Sequence, residues 1–263
     1  MPTFKHVEEC MGTVFVFQGN SHLSPDELAA EIKKACDKLH EADQIFSLYK
    51  PQSPLSRLAR GETSVAQCPP AVNAVWNLCE SWEKATDGFF SAFALDHTFD
   101  PSGLVKTWAA QQAIDSLLTA GIEDFSLNSG GDIWLSDRLS EANEWKIGIA
   151  KAVTIASEDA GVLTVVNPQN TIYRAAATSG SAERGAHIWN PKSGALANSE
   201  LVQVTVLAKD LVTADVWATA AYAEGPNSLN RISKQEGVEA LFVFNDGRID
   251  GTEGFAEVLR GSI

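Results

Sequence analysis

The chain is poor in several residue types, and each shortage removes a class of protein. It has four cysteines in 263 residues. Cys10, Cys36, Cys68 and Cys79 fall at spacings that match neither a zinc knuckle nor a CxxC redox pair, so a disulfide scaffold is excluded and the thiols read as free and buried in a reducing compartment. Their spacing gives them no function. Basic residues are scarce too, with 20 Lys and Arg against 34 Asp and Glu and a net charge of −14. That balance works against binding nucleic acid or an anionic membrane surface through bulk electrostatics. A phosphate would have to be held locally, by backbone N–H groups, single cations or a metal. No apolar run approaches the roughly 18 residues of a membrane-spanning helix. The amino end, MPTFKHVEECMGTVFVFQ, lacks the basic, apolar and small-residue order of a signal peptide, and the expected location is cytoplasmic. There is no GxSxG elbow, no Walker A loop and no GxGxxG fingerprint, which leaves covalent serine chemistry and P-loop hydrolysis without support.

What is present is a chain with 44% hydrophobic residues, enough for a substantial core. The expected fold class is α+β, a single compact domain over residues 1–263 with a mixed, mainly antiparallel sheet and packed helices. Val14 to Phe17 reads as an opening strand. Ser24, Pro25 and Glu27 have the form of a capping box, starting a helix that runs to about Ala42. A short helical turn is expected at Leu55 to Leu58, and a helix over Ala71 to Thr86 ended by Asp87-Gly88. Further strands are expected at Trp145 to Ile149, Gly161 to Val166, Leu201 to Leu207 and Phe242 to Phe244. A helix is placed from Thr213 or Ala214 to Ala223, and Phe255 to Leu259 is expected to close the sheet.

The stretch from Phe99 to Leu135 organises the reading. Asp100 or Ser102 caps a helix, Pro101 suits its first turn, and Val105, Trp108, Ala109, Ala113 and Leu117 recur at helical spacing. Gly121 stops it. A short strand, the pair Gly130 and Gly131, and the exit Ile133 to Leu135 follow. A helix amino end offers unpaired N–H groups and partial positive charge, and a Gly-Gly turn lets backbone approach an anion with no Cβ in the way. Lys106 adds a cation. Farther on, Asp215 and Thr219 lie four apart in TADVWATA, so a helix puts both oxygens on one face, a set suited to a hard cation such as Mg²⁺. His187 stands in a loop before the Asn190 to Gly194 turn, either as a structural hydrogen-bonder or as a base.

MGT at Met11 to Thr13, FSLYKPQSPLSRL, DPSGLVK, NSGGDI, ATSG with the later HIWNPKSG, and TADVWAT occur in the order found in the FAD:protein FMN transferases. The chain thus resembles the ApbE-like flavin transferase family, with its T-fold-like architecture, over Met11 to about Gly225. The resemblance implies FAD as substrate, Mg²⁺ as cofactor with Mn²⁺ as the alternative, and transfer of FMN to a threonine hydroxyl of an acceptor protein with release of AMP. It implies a metal held by the Gly103 carbonyl, Asp215 and Thr219. It implies flavin contacts from Met11, Tyr49, Phe89, Phe90, Ser91, Asp100, Lys106, His187 and Ile188, with Gly130 and Gly131 close by. His187 and Asp215 are the candidates for the base.

Two departures stand out. Ser91 occupies a place where the family usually has an acidic residue, and the connection from Phe93 to Phe99 is shorter than usual. Two other readings therefore stand beside transfer: a metal-dependent FAD pyrophosphatase giving FMN and AMP, and an FAD-binding protein without turnover. No nucleic-acid or membrane partner is expected.

Overall fold

A computed structural model describes residues 1–93, 98–136, 145–151, 161–168, 171–180, 188–197 and 200–260. The chain divides into two compact units, one of Met1–Ala85, Ser91–Gly130 and Ser136–Arg138, the other of Thr86–Phe90, Gly131–Leu135 and Leu139–Ile263.

The first unit opens on an antiparallel hairpin of β1 (Thr3–Cys10) and β2 (Thr13–Asn20), with Cys10 opposite Thr13. The two residues between them, Met11 and Gly12, have φ of 52° and 68°. Both angles are positive, the condition for the tight turn that matches the twist of paired strands. The opening strand was expected only at Val14 to Phe17, and β1 is an addition to it. The long helix α1 (Pro25–Phe46) starts with the capping box, Ser24 accepting from the Glu27 N–H while Glu27 accepts from Ser24. It buries Ile32, Ala35, Leu39, Ala42 and Phe46 and extends a turn beyond the expected end.

Two shorter helices follow, α2 (Pro54–Ala59) and α3 (Pro70–Ala85). Helix α4 (Ser102–Thr119) packs on α1 and leads to β3 (Asp124–Ser129), which pairs antiparallel with β2. Gly121, at φ 80° just past α4, confirms its role as the stop. Phe15 and Phe17 of β2 and Phe125 and Leu127 of β3 are fully buried, so this unit's core lies on one face of its three strands.

The second unit is a sheet in the order β4 (Asp132–Leu135), β7 (Ala175–Gly180), β10 (Leu201–Ala208), β11 (Val238–Phe244) and β12 (Ile249–Gly251). Its pairings β4–β7, β7–β10, β10–β11 and β11–β12 are all antiparallel. Two ribbons accompany it, β5 (Ile147–Ala150) with β6 (Val162–Val166), and β8 (Trp189–Asn190) with β9 (Ala195–Leu196). The helix α5 (Leu211–Glu224) packs on β7 and β10 and is followed by the short α6 (Ser228–Ile232).

Phe255 to Leu259 does not close the sheet. It lies in the helix α7 (Glu253–Arg260), whose Phe255 and Val258, three apart, are buried against Leu135, Ile147, Ile149, Val166, Leu207 and Leu241. A three-residue spacing puts two side chains on one helical face but on opposite faces of a strand, and the apolar cluster decides for the helix. The fold class is thus α+β, built on antiparallel sheet with packed helices.

Candidate functional site

In the second unit the site grows from two elements of small residues. Ala175 and Ala177 of β7 and Ala214, Ala218 and Ala221 of α5 are all buried, and the absence of bulk lets helix and strand approach closely. Ser179 stands on the same strand, 7% exposed, its Oγ 3.2 Å from Thr219 Oγ1 of α5.

Helix α5 begins earlier than the sequence indicated. Asp210 is its cap, accepting from the Thr213 N–H at 2.8 Å and from the Thr213 hydroxyl at 2.7 Å. Asp215 is consequently a second-turn residue rather than a first-turn one, and it is buried at 9% exposure. One turn separates it from Thr219, and the side chains share a face. The face offers oxygens: a carboxylate, the Thr219 hydroxyl and, hydrogen-bonded to it, that of Ser179. Hard cations are bound by such donors, so the residues fit Mg²⁺.

Thr178 Oγ1 lies 2.9 Å from Thr205 Oγ1 of β10, Gln203 donates to Thr205 at 3.3 Å, and the Thr178 N–H donates to Asp132 Oδ1 of β4 at 3.2 Å. These bonds fix the strand that carries Ser179. Neither Ser179 nor Asp132 was singled out from the sequence, because their places depend on a strand, β7, whose alanine-rich sequence carries little strand propensity.

Also within the second unit, two cations approach the ring of Phe89. Lys192 Nζ is 4.1 Å from its ring centroid and the Arg231 guanidinium carbon 5.3 Å, a cation–π arrangement. Asp87, at φ 54° in the left-handed region, accepts from Lys192 at 2.9 Å and from Arg231 at 3.4 Å. Lys192 first, and Arg231 after it, hold its carboxyl below the usual range. Phe90 beside it is buried. Asn190 Oδ1 accepts from the backbone N–H groups of Lys192 and Ser193, and its Nδ2 ties that turn to the Ala223 carbonyl at the end of α5. Ile188 is half-buried, its carbonyl accepting from the Ala197 N–H. His187 lies outside the described residues.

In the first unit, Met11 occupies the left-handed β1–β2 turn, and Gly130 lies beside that hairpin, its N–H donating to the Val14 carbonyl. The space a Cβ on Gly130 would need is filled by Thr13 Oγ1 at 2.3 Å, so a close protein contact already requires glycine there. Gly131, the first residue of the second unit's next stretch, has φ of 100°. Tyr49 is 98% exposed. At the start of α4, Asp100 Oδ1 accepts from the Ser102 N–H at 3.0 Å, so a carboxylate already occupies part of the helix end that the sequence reading reserved for a phosphate. Gly103 follows, exposed in the first turn, and Lys106 is half-buried in the next. A first-turn carbonyl accepts the N–H four residues on and keeps one lone pair for another partner. Ser91 donates its hydroxyl to Glu83 Oε1 of α3 at 2.8 Å, so a carboxylate absent from position 91 is present one hydrogen bond away. Trp76 stacks near Phe93 and Phe99 at 4.9 and 4.6 Å, bracketing the short connection.

Fold and donor set define the class: an antiparallel α+β protein whose alanine-rich helix presents a buried carboxylate and a half-buried hydroxyl suited to a hard cation. The chain belongs to the ApbE family, whose model matches residues 11–95 and 93–242. It is 29% identical over 153 residues to the FAD:protein FMN transferase of Klebsiella pneumoniae, 55% of this chain and 45% of that one. To the protein of the same name from Vibrio cholerae it is 28% identical over 171 residues, 62% of this chain and 48% of that one. The chain spans about half the length of these curated relatives. The solved structure of flavin transferase ApbE from Vibrio cholerae shares the fold with a TM-score of 0.81 at 21% identity, over 98% of this chain and 99% of that one. Among the described residues no helix is long and apolar enough to cross a membrane.

Proposed function

We propose that the protein transfers the FMN half of FAD to a threonine hydroxyl of an acceptor protein and releases AMP, with Mg²⁺ as cofactor. Family membership supports flavin transfer, and the observation that carries the metal dependence is the buried Asp215 one turn from Thr219 on α5, with Ser179 hydrogen-bonded to Thr219. Asp215 and Thr219 would hold the ion, together with the Gly103 carbonyl that the family resemblance assigns to it. The ion would supply neutralisation of the charge that develops on a diphosphate.

The chain's own residues do the rest. The acceptor threonine oxygen attacks the FMN phosphorus, the bond from that phosphorus to the bridging oxygen breaks, and AMP departs with the bridging oxygen. Positioning dominates such a reaction, because phosphoryl transfer asks little covalent chemistry of the protein. The resemblance gives Lys106 the task of holding phosphate charge, and Met11, Tyr49, Phe89, Phe90, Ser91, Asp100, Ile188 and the Gly130-Gly131 pair that of framing the flavin. The hydroxyl proton would go to His187, since Asp215 would be engaged in holding the ion.

Mass spectrometry of a threonine-bearing acceptor after incubation with the protein, FAD and Mg²⁺ tests the reading. A covalent flavin adduct on threonine, formed in step with AMP and lost with chelator, is the expected result. Free FMN and AMP produced at the same rate with or without acceptor would instead make the protein an FAD pyrophosphatase, and unchanged FAD would make it a binding protein.

A further inference from the structure

Strand β1 breaks the rule that an inward-facing strand side is apolar. Its even-numbered residues face inward and its odd-numbered ones outward, as the burial along Thr3–Cys10 records. The inward set includes His6, Glu8 and Cys10. Opposite them α1 presents Cys36 and His40, four apart and therefore on one helical face. Places where a chain violates its own patterning are where function is to be sought.

The side chains form one continuous hydrogen-bonded series. Cys36 Sγ lies 3.5 Å from His6 Nε2, and His6 Nε2 lies 2.9 Å from Glu8 Oε2. The second Glu8 oxygen lies 2.7 Å from His40 Nε2, and His40 Nδ1 lies 3.6 Å from Cys10 Sγ. The donor atoms of His6, Glu8 and Cys36 all fall within 4.8 Å of one another. They border an open depression of about 500 Å³ that Lys5, Ile32 and His40 also line, so solvent and ions reach it. Cys36 itself is 5% exposed, whereas the side chains of His6 and Glu8 are 36% and 23% exposed.

We propose that His6, Glu8 and Cys36 form a binding site for a divalent cation of the zinc class. Imidazole nitrogen, thiolate sulfur and carboxylate oxygen are the three ligand types zinc takes, at about 2.0–2.3 Å, and a tetrahedron with those bonds has edges of roughly 3.3–3.6 Å. The sulfur-to-nitrogen separation of 3.5 Å already matches such an edge. The Glu8 to His6 separation of 2.9 Å needs to open by a few tenths of an ångström, within reach of two partly exposed side chains. On binding, the Cys36 thiol releases its proton to solvent, His6 carries its proton on Nδ1 so that Nε2 donates a lone pair, and water completes the shell. His40 holds the far oxygen of Glu8 and is a positioning residue. None of these residues belongs to the α5 face, and the inference stands apart from the proposed transferase reaction.

Titration of the purified full chain with Co²⁺ and then Zn²⁺ tests it. A thiolate-to-cobalt charge-transfer band is expected to saturate at one equivalent, to vanish on adding Zn²⁺, and to survive a large excess of Mg²⁺. Cys36→Ala should abolish the band, and Cys79→Ala should leave it intact. His6→Ala, at a partly exposed position that does not threaten folding, should weaken Zn²⁺ binding by more than tenfold, and His40→Ala by about 10- to 100-fold. An oxygen-only site gives no thiolate band, so binding on α5 cannot imitate this result. Absence of the band at stoichiometric Co²⁺, or a band that persists in both Cys36→Ala and His6→Ala, would overturn the proposal.

Discussion

The face of α5 and the inner face of β1 both bury polar atoms, and they do so in opposite ways. At α5 the donors described are oxygens, and Asp215 of the helix and Ser179 of β7 are 9% and 7% exposed. Most of the helix around them, from Leu211 to Ala223, is buried as well. On β1 and α1 the donors are nitrogen, sulfur and oxygen, and the carboxylate of Glu8 is held by two imidazoles. Glu8 accepts from His40 first and His6 second, and these bonds hold its carboxyl below the ordinary carboxylate range. What the contrast teaches is that donor type, more than burial, sorts the cations: oxygens select magnesium-like ions, and imidazole with thiolate selects zinc-like ones.

The sharpest way to break that division is to remove one anchor from each cluster and assay both properties. Asp215→Ala should lower Mg²⁺-dependent release of AMP from FAD by about 10²–10³-fold, the scale of losing a principal electrostatic stabiliser, while leaving the cobalt–thiolate band unchanged. Cys36→Ala should do the reverse. Steady-state rates and absorption spectra on the same preparations decide it. Near-normal turnover in Asp215→Ala would remove the carboxylate from the metal site, and loss of both properties in either variant would mean the clusters are not independent.

A smaller effect belongs to the neutral donor. Thr219→Val keeps the volume of the side chain but deletes the oxygen 3.2 Å from Ser179. A neutral hydrogen bond or ligand is worth about 1–1.5 kcal/mol, so turnover should fall roughly tenfold. If Thr219 ligates the ion, the Mg²⁺ concentration needed for half-maximal rate should rise with it. A drop in rate at unchanged Mg²⁺ requirement would assign Thr219 to holding β7 rather than the metal.

The same contrast explains what could be read from the residues beforehand. Asp215 and Thr219 were legible because both lie on one helix, and a four-residue spacing is sufficient to put them on one face. Ser24 with Glu27, and Gly121 after α4, were legible for the same local reason. His6, Glu8, Cys36 and His40 were not, since the strand and the helix that carry them are separate in sequence and only tertiary packing aligns a period of two with a period of four. The polar residues that make β1 chemically interesting also hid it as a strand. Strand β7 was hidden by its alanines, and α7 was mistaken for a strand because Phe255 to Leu259 is too short to display a period. The Gly130-Gly131 turn was placed correctly, yet the reason for glycine at position 130 is Thr13, a contact no linear reading contains.

The mildest test separates packing from chemistry on α5. Asp210 caps the helix through two bonds to Thr213, and its negative charge sits at the positive end of the helix dipole. Asp210→Ala should cost about 1 kcal/mol, which for a domain of this size lowers Tm by about 2–4 °C. Thr219 and Asp215 lie beyond the first turn, where a lost cap frays the backbone least, so the Mg²⁺ requirement should hold while the melting curve moves. A rise in that requirement without a shift in Tm would show that the start of α5, and not merely the face it presents, takes part in holding the ion.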